Sequence, residues 1–123
     1  MEFLLSAQAK KDIVDLALYI AQDNPEIGAA VFDDVWDTCE LLASMPNMGA
    51  PIGTLLDETE IRYEIREILH ALPLLENIRR FPLSRFKRVM VFYQIQDDIL
   101  DVIRVIHGSR DLPAILASMV TES

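Results

Sequence analysis

The run Arg88–Ile95 constrains this chain more than any other stretch, because it is apolar on both faces of a strand. Val89, Val91, Tyr93 and Ile95 alternate with Met90 and Phe92, and successive side chains of a strand point to opposite sides. Such a strand belongs at the centre of a sheet, with a neighbour on each edge and cover on both faces. Both neighbours lie nearby in sequence. Arg79–Leu83 is a short strand restricted at Pro82, and Gln96-Asp97-Asp98 turns the chain back into Ile99–His107. The result is an antiparallel three-stranded meander.

Upstream the period is helical. Phe3-Leu4-Leu5 is a first short strand, and Ser6 is placed to cap the helix that follows. Ile13, Leu16, Ala17 and Ile20 recur at helical spacing. Asn24-Pro25-Glu26 then ends one helix and starts the next, with Pro25 at its first position and Asn24 as its cap. The second helix is expected to bury Val31, Phe32, Val35, Trp36, Cys39, Leu42 and Ala43 before Pro46 and Gly49 close it. Residues 48–53 are expected to be loop. Leu56–Leu72 is taken as a short helix on its length, its glutamates and the spacing of Ile61, Ile65, Ile68, Leu69 and Leu72, ended by Pro73. Leu112–Met119 suits a closing helical turn, with the last three residues fraying.

These elements define an α+β chain of one domain, residues 1–123: a short N-terminal strand, a helical hairpin and a C-terminal antiparallel three-stranded meander packed against the helices. At 123 residues it can bury roughly two-thirds of its unfolded surface. No stretch approaches the about 20 apolar residues of a membrane span, and the start Met1-Glu2-Phe3-Leu4-Leu5 lacks the basic opening of a signal peptide. A single cysteine, Cys39, excludes an internal disulfide framework and suits a reducing cytosol. The expected location is cytoplasmic.

Charge is uneven. The net charge is −9, yet residues 1–76 carry fifteen acids against four bases while residues 77–123 carry five against seven. The total argues against general nucleic-acid binding. A basic patch on an acidic body can still engage a chosen surface, although a merely solvated face explains the charge equally well.

Several chemistries are absent. Two histidines and one cysteine do not make a metal site, no phosphate loop or Gly-x-Ser-x-Gly elbow occurs, and no cofactor is expected. Most carboxylates lie on helix faces where solvation accounts for them. That leaves Arg79, Arg80, Arg85, Lys87, Arg88, Arg104, His107 and Arg110 as candidate site residues. Simple alternation puts Arg104 on one face with Val102 and Ile106, and Ile103, Val105 and His107 on the other. An arginine among apolar strand neighbours needs a partner, so an ion pair with an acid of the helical hairpin is favoured over a functional role for Arg104. His107, before Gly108, either locks the strand exit or acts in the site; Arg110-Asp111 suits a local salt bridge.

The order of elements and the ending Arg104-Val-Ile-His-Gly-Ser-Arg-Asp111 resemble the RelE/ParE superfamily of toxins from type II toxin–antitoxin systems, most closely its ParE branch. There the meander typically reads Leu-Arg-x-Phe-Pro-Val, then Tyr-x-x-Phe-Tyr, then Arg-Val-Leu-His-Gly-x-Arg-Asp. Ile78–Leu83, Val91-Phe92-Tyr93 and Arg104–Asp111 occupy those places here. The likeness covers residues 3–46 in pattern and 77–113 in motif, and it implies a RelE/ParE-like fold. The acidic segment at about 54–76 is longer than the family pattern, which suggests that Glu58, Glu60, Glu64 and Glu67 shield or reshape the basic surface.

The resemblance implies two mechanisms. RelE-like members are ribosome-dependent mRNA endoribonucleases, which must stabilise a phosphorane and move protons with arginine or lysine and an acid–base group. ParE-like members resemble poisons of DNA gyrase, which block replication and need a recognition surface without a catalytic set. In the nucleases an arginine usually opens the central strand as Arg-Leu-Val-Tyr. Aligning that tyrosine with Tyr93 puts Met90 at the arginine's place, which favours the gyrase poison. A nuclease would have to use His107, Arg110 and Arg79. A third alternative is a non-toxic member that only binds its antitoxin. The expected partner is a cognate antitoxin with a ribbon-helix-helix or similar DNA-binding domain and a disordered segment that wraps the hairpin and sheet. The chain itself has no reading head for specific DNA.

Overall fold

A computed structural model describes residues 1–52 and 77–107 of the chain. The acidic segment at about 54–76, with its expected helix, and the tail with Arg110 and Asp111 lie outside them. The described elements run β1 (Glu2–Leu5), α1 (Ala7–Ala21), α2 (Pro25–Ser44), a 3-10 turn (Pro46–Met48), β2 (Ala50–Pro51), β3 (Arg79–Pro82), β4 (Val89–Gln96) and β5 (Ile99–His107). The strands form one sheet in the order β1-β5-β4-β3-β2. The expected meander is its middle, and β4, apolar on both faces, is its central strand.

Two additions extend the meander. β1 pairs parallel with β5, from Glu2 opposite Ile99 to Leu5 opposite Val102. Of residues 48–53, expected to be loop, Met48 ends the 3-10 turn, and Ala50 and Pro51 form a two-residue strand antiparallel to Arg80 and Arg79. So short a strand has no alternation of its own for a sequence pattern to reveal. It exists because β3 offers it a free edge.

Local chemistry explains the joints. The Ser6 Oγ accepts from the Ala9 N–H at 3.0 Å, capping α1, and donates to the Ile103 carbonyl at 2.8 Å, tying the helix start to β5. Asn24 caps α2 through Oδ1, accepting from the Ile27 N–H at 3.3 Å. Asp97 and Asp98 hold φ of 53° and 61°, the left-handed pair that a tight two-residue hairpin requires and that aspartate tolerates better than most residues. At Gly28 an added Cβ would lie 2.7 Å from the Ala21 Cβ and 2.8 Å from the Ala17 carbonyl, so glycine permits the close crossing of α1 and α2.

The core between helices and sheet unites Ala9, Ile13, Ala17, Val31, Val35, Cys39 and Leu42 with Val89, Val91, Tyr93, Leu100, Val102 and Val105. Two expectations need correction. Phe32 and Trp36 are not in the buried stripe of α2; they are 47% and 54% exposed. They sit one residue round from the buried positions Val31 and Val35, which are the ones that meet the sheet. The strict alternation along β5 also fails. A register shift against Phe92 and Tyr93 makes Phe92 face Arg104 and Tyr93 face Val102, so Ile103 is the extra residue of a bulge. Val102 and Val105 therefore both enter the core, although they are three residues apart.

Candidate functional site

The hairpin and the meander are joined by exchanged polar groups. Beyond Val102, β5 outruns β1, and Asp12 of α1 occupies the edge so exposed. Its Oδ2 accepts from the Val105 N–H at 3.1 Å and from Arg104 Nε at 2.8 Å, and its Oδ1 accepts from Arg104 Nη2 at 3.0 Å. Arg104 is only 8% exposed. The expected ion pair with an acid of the hairpin is thus present, in the two-point geometry that suits guanidinium and carboxylate.

A second carboxylate holds the loop between β3 and β4. Asp34, 3% exposed on α2, accepts from the backbone N–H groups of Arg85 and Phe86 at 2.9 and 3.2 Å through one oxygen. The loop is closed further by the Val89 N–H on the Phe86 carbonyl and the Leu83 N–H on the Val89 carbonyl. On this anchored loop Arg85, Lys87 and Arg88 all stand in solvent. Val89 pairs with His107, so the half-buried histidine lies at the same end of the sheet as the three cations.

The traffic runs the other way at the opposite end. Arg79 Nη1 donates to the Gly49 carbonyl at 2.6 Å and to the Asn47 carbonyl at 3.3 Å. The fully buried Tyr93 donates its O–H to the Pro46 carbonyl at 2.7 Å and accepts from the Gly49 N–H at 2.9 Å. Burial raises the Tyr93 pKa above its usual value, opposed by the Gly49 hydrogen bond and the Arg79 charge. A Cβ on Gly49 would come within 2.3 Å of the Tyr93 hydroxyl, so the turn accepts only glycine without a shift. Tyr93 is thereby committed to holding the chain after α2.

The candidate residues separate accordingly. Arg85, Lys87, Arg88 and His107 gather at one end of the sheet. Arg79 is engaged with loop carbonyls, Arg80 is half-buried on β3 opposite Phe92, and Arg104 is held by Asp12. Met90, half-buried opposite Pro82 and Ile106, carries no charge to the central strand. Sequence reasoning passed over Asp12 and Asp34 as solvated acids. Asp34 carried a signal nonetheless, since it falls between Val31 and Val35 on the face of α2 that meets the sheet.

Between α1 and the end of β5 lies an open cleft of about 690 Å³, bordered by Lys11, Asp12, Asp15, Tyr19, Arg104 and His107. Carboxylates and cations alternate round it, so it favours neither sign of ligand. Among the described residues no cluster of His, Cys, Asp or Glu is arranged to hold a metal ion, and no helix is long and apolar enough to cross a membrane.

Comparison with known proteins agrees with this geometry. No curated protein matches the chain. A solved structure described as a chromosomal ParDE TA system from P. aeruginosa superposes with a TM-score of 0.59 at 15% identity, covering 87% of this chain and 95% of that one. At that identity the likeness speaks for the fold alone. The family model for the ParE toxin of type II toxin–antitoxin system, parDE, matches residues 3–112. From its first strand to beyond its last described one, the chain belongs to the ParE family of toxins of type II toxin–antitoxin systems.

Proposed function

We propose that this chain poisons DNA gyrase without a catalytic set of its own, and that a cognate antitoxin with a ribbon-helix-helix domain neutralises it. The observation that carries the reading is the loop anchored by Asp34. It offers Arg85, Lys87 and Arg88 to solvent on a backbone held by two hydrogen bonds from a buried carboxylate. Such a surface suits a target carrying phosphate or carboxylate groups. Meanwhile the central strand presents Met90, and the Tyr93 hydroxyl is closed on both sides by backbone. Neither is equipped to stabilise a phosphorane or to move a proton. The reading places the chain in the cytoplasm, where growth arrest follows from blocked replication, and leaves DNA recognition by the pair to the antitoxin.

A second reading, ribosome-dependent mRNA cleavage with His107, Arg110 and Arg79, draws on the position of His107 opposite Val89, at the end of the sheet where Lys87 and Arg88 stand. A third, an antitoxin-binding module without toxicity, remains if neither target responds. Purified chain incubated with gyrase and supercoiled plasmid is expected to leave linear, protein-linked DNA. Changing Arg85, Lys87 and Arg88 together to glutamine should weaken that effect about tenfold or more. Cleavage of mRNA on ribosomes that disappears with His107→Ala or Arg110→Ala, with no gyrase-linked breaks, would replace the reading with the nuclease.

A further inference from the structure

The outward side of the hairpin has a charge and apolar pattern that the gyrase reading does not use. Residues 1–52 carry nine acids against two bases. Asp12 and Asp34 are spent inside the fold, and the other seven are exposed. Four of these, Glu26, Asp33, Asp37 and Glu40, recur along α2 at spacings of seven, four and three residues, which places them on one ridge. At 1.5 Å per residue the ridge runs about 21 Å. Beside it α2 presents Phe32 and Trp36, 47% and 54% exposed, on the side where Gly28 brings α1 against α2. Across that contact α1 presents Val14 and Leu18, the latter 62% exposed. Each pair is four residues apart and so forms a row along its own helix; Trp36 packs edge-to-face on Phe3 of β1, ring centroids 4.9 Å apart, and its Nε1 donates to Glu40 at 2.8 Å. Exposed apolar rows on adjacent helices, rimmed by charge, are what an amphipathic helix covers.

We infer that the antitoxin segment covering these rows is an amphipathic helix whose flank over α2 is basic, with lysines or arginines at roughly helical-turn spacing facing the Glu26–Glu40 ridge. The inference rests on the chain having an antitoxin partner and not on gyrase being its target. The charge is lopsided as well. The α1 side carries Lys10 near its start, so the opposite flank of the docked helix has no such demand. An acidic segment would meet like charge along the whole ridge, and rim charges of that kind decide between partners.

Trp36 is the only tryptophan in the chain and stands half exposed beside the acidic ridge, bonded to Glu40, so its emission reports a helix docked there. The test titrates the full chain with three synthetic 18-residue helical peptides that share one leucine–alanine stripe and carry lysine, glutamine or glutamate on one flank. The lysine peptide should shift Trp36 emission and bind about tenfold more tightly than the glutamine peptide in low salt, with the advantage fading as salt rises. Asp33→Asn with Asp37→Asn should remove that advantage, with the fold checked by circular dichroism. Asp97→Asn with Asp98→Asn changes the net charge equally on the β4–β5 turn and should leave the advantage intact. Equal binding of the glutamine or glutamate peptide would overturn the inference. So would equal loss in both double variants, a Trp36 shift that depends only on protein concentration through self-association, or no binding at all. Gyrase poisoning is assayed with the chain alone, so either proposal can fail while the other stands.

Discussion

The helical hairpin and the meander handle charge in opposite ways, and each supplies what the other lacks. The hairpin is acidic, and two of its carboxylates turn inward to receive meander groups: Asp12 takes Arg104 and the Val105 N–H, and Asp34 takes two N–H groups of the β3–β4 loop. The meander is basic, and Arg79 reaches back to the carbonyls that follow α2. Each region also keeps a run of its own sign outside, an acidic ridge on α2 and a basic loop before β4. The lesson is that residue type alone does not separate a structural charge from a surface one. Position relative to an open strand edge or an unclosed loop does.

The sharpest way to break the comparison is Asp12→Ala. It removes the two-point carboxylate from a nearly buried arginine and the acceptor from an edge amide, and should cost about 3–5 kcal/mol in urea unfolding. A loss below about 1 kcal/mol would mean that the pair is incidental to the fold. Asp34→Ala ranks next at about 2–3 kcal/mol, because two amides lose a charged acceptor. It should also speed hydrogen exchange at Arg85 and Phe86 specifically; uniform acceleration would show that the loop is not separately anchored.

Tyr93→Phe tests the return contact. Losing the hydroxyl leaves the Gly49 N–H and the Pro46 carbonyl without their partner, for about 1–2 kcal/mol, and growth arrest should persist in proportion to folded protein. Abolished toxicity with an intact fold would instead assign the tyrosine to chemistry. Neutralising Arg85, Lys87 and Arg88 should leave stability within about 0.5 kcal/mol, in contrast with its effect on the target.

The smallest effect at neutral pH concerns Cys39. Burial pushes its thiol from 9.0 up to about 12, so the folded state holds the proton after an unfolded chain would release it. The associated stability is complete below pH 9 and is lost as pH rises towards 12; Tyr93, also raised, acts in the same direction. Cys39→Ala should make the alkaline fall shallower, whatever it does to the plateau. A disulfide reagent at pH 8 should label the native protein only as fast as it opens.

Much of this was legible in the chain. Ser6 and Asn24 marked the helix starts because an N-cap is a local device, decided within three residues. The doubly apolar β4 announced a central strand, and the Arg104 motif announced the family. The exposed sides of Phe32 and Trp36 were not legible. A broad apolar stripe on α2 has more residues than the sheet beneath it can cover, and only the crossing at Gly28 decides which remain outside.

The sequence by itself determined the helical hairpin, the meander, their order, the family and the asymmetry of charge, since each follows from periodicity, capping chemistry or motif. Only the tertiary structure decided which charges are spent within the fold. Asp12 and Arg104 are 92 positions apart, and Asp34 and the loop it holds are 51. Their pairing depends on a bulge in β5, a strand edge left open and a helix crossing, and none of these is written in a local run of residues.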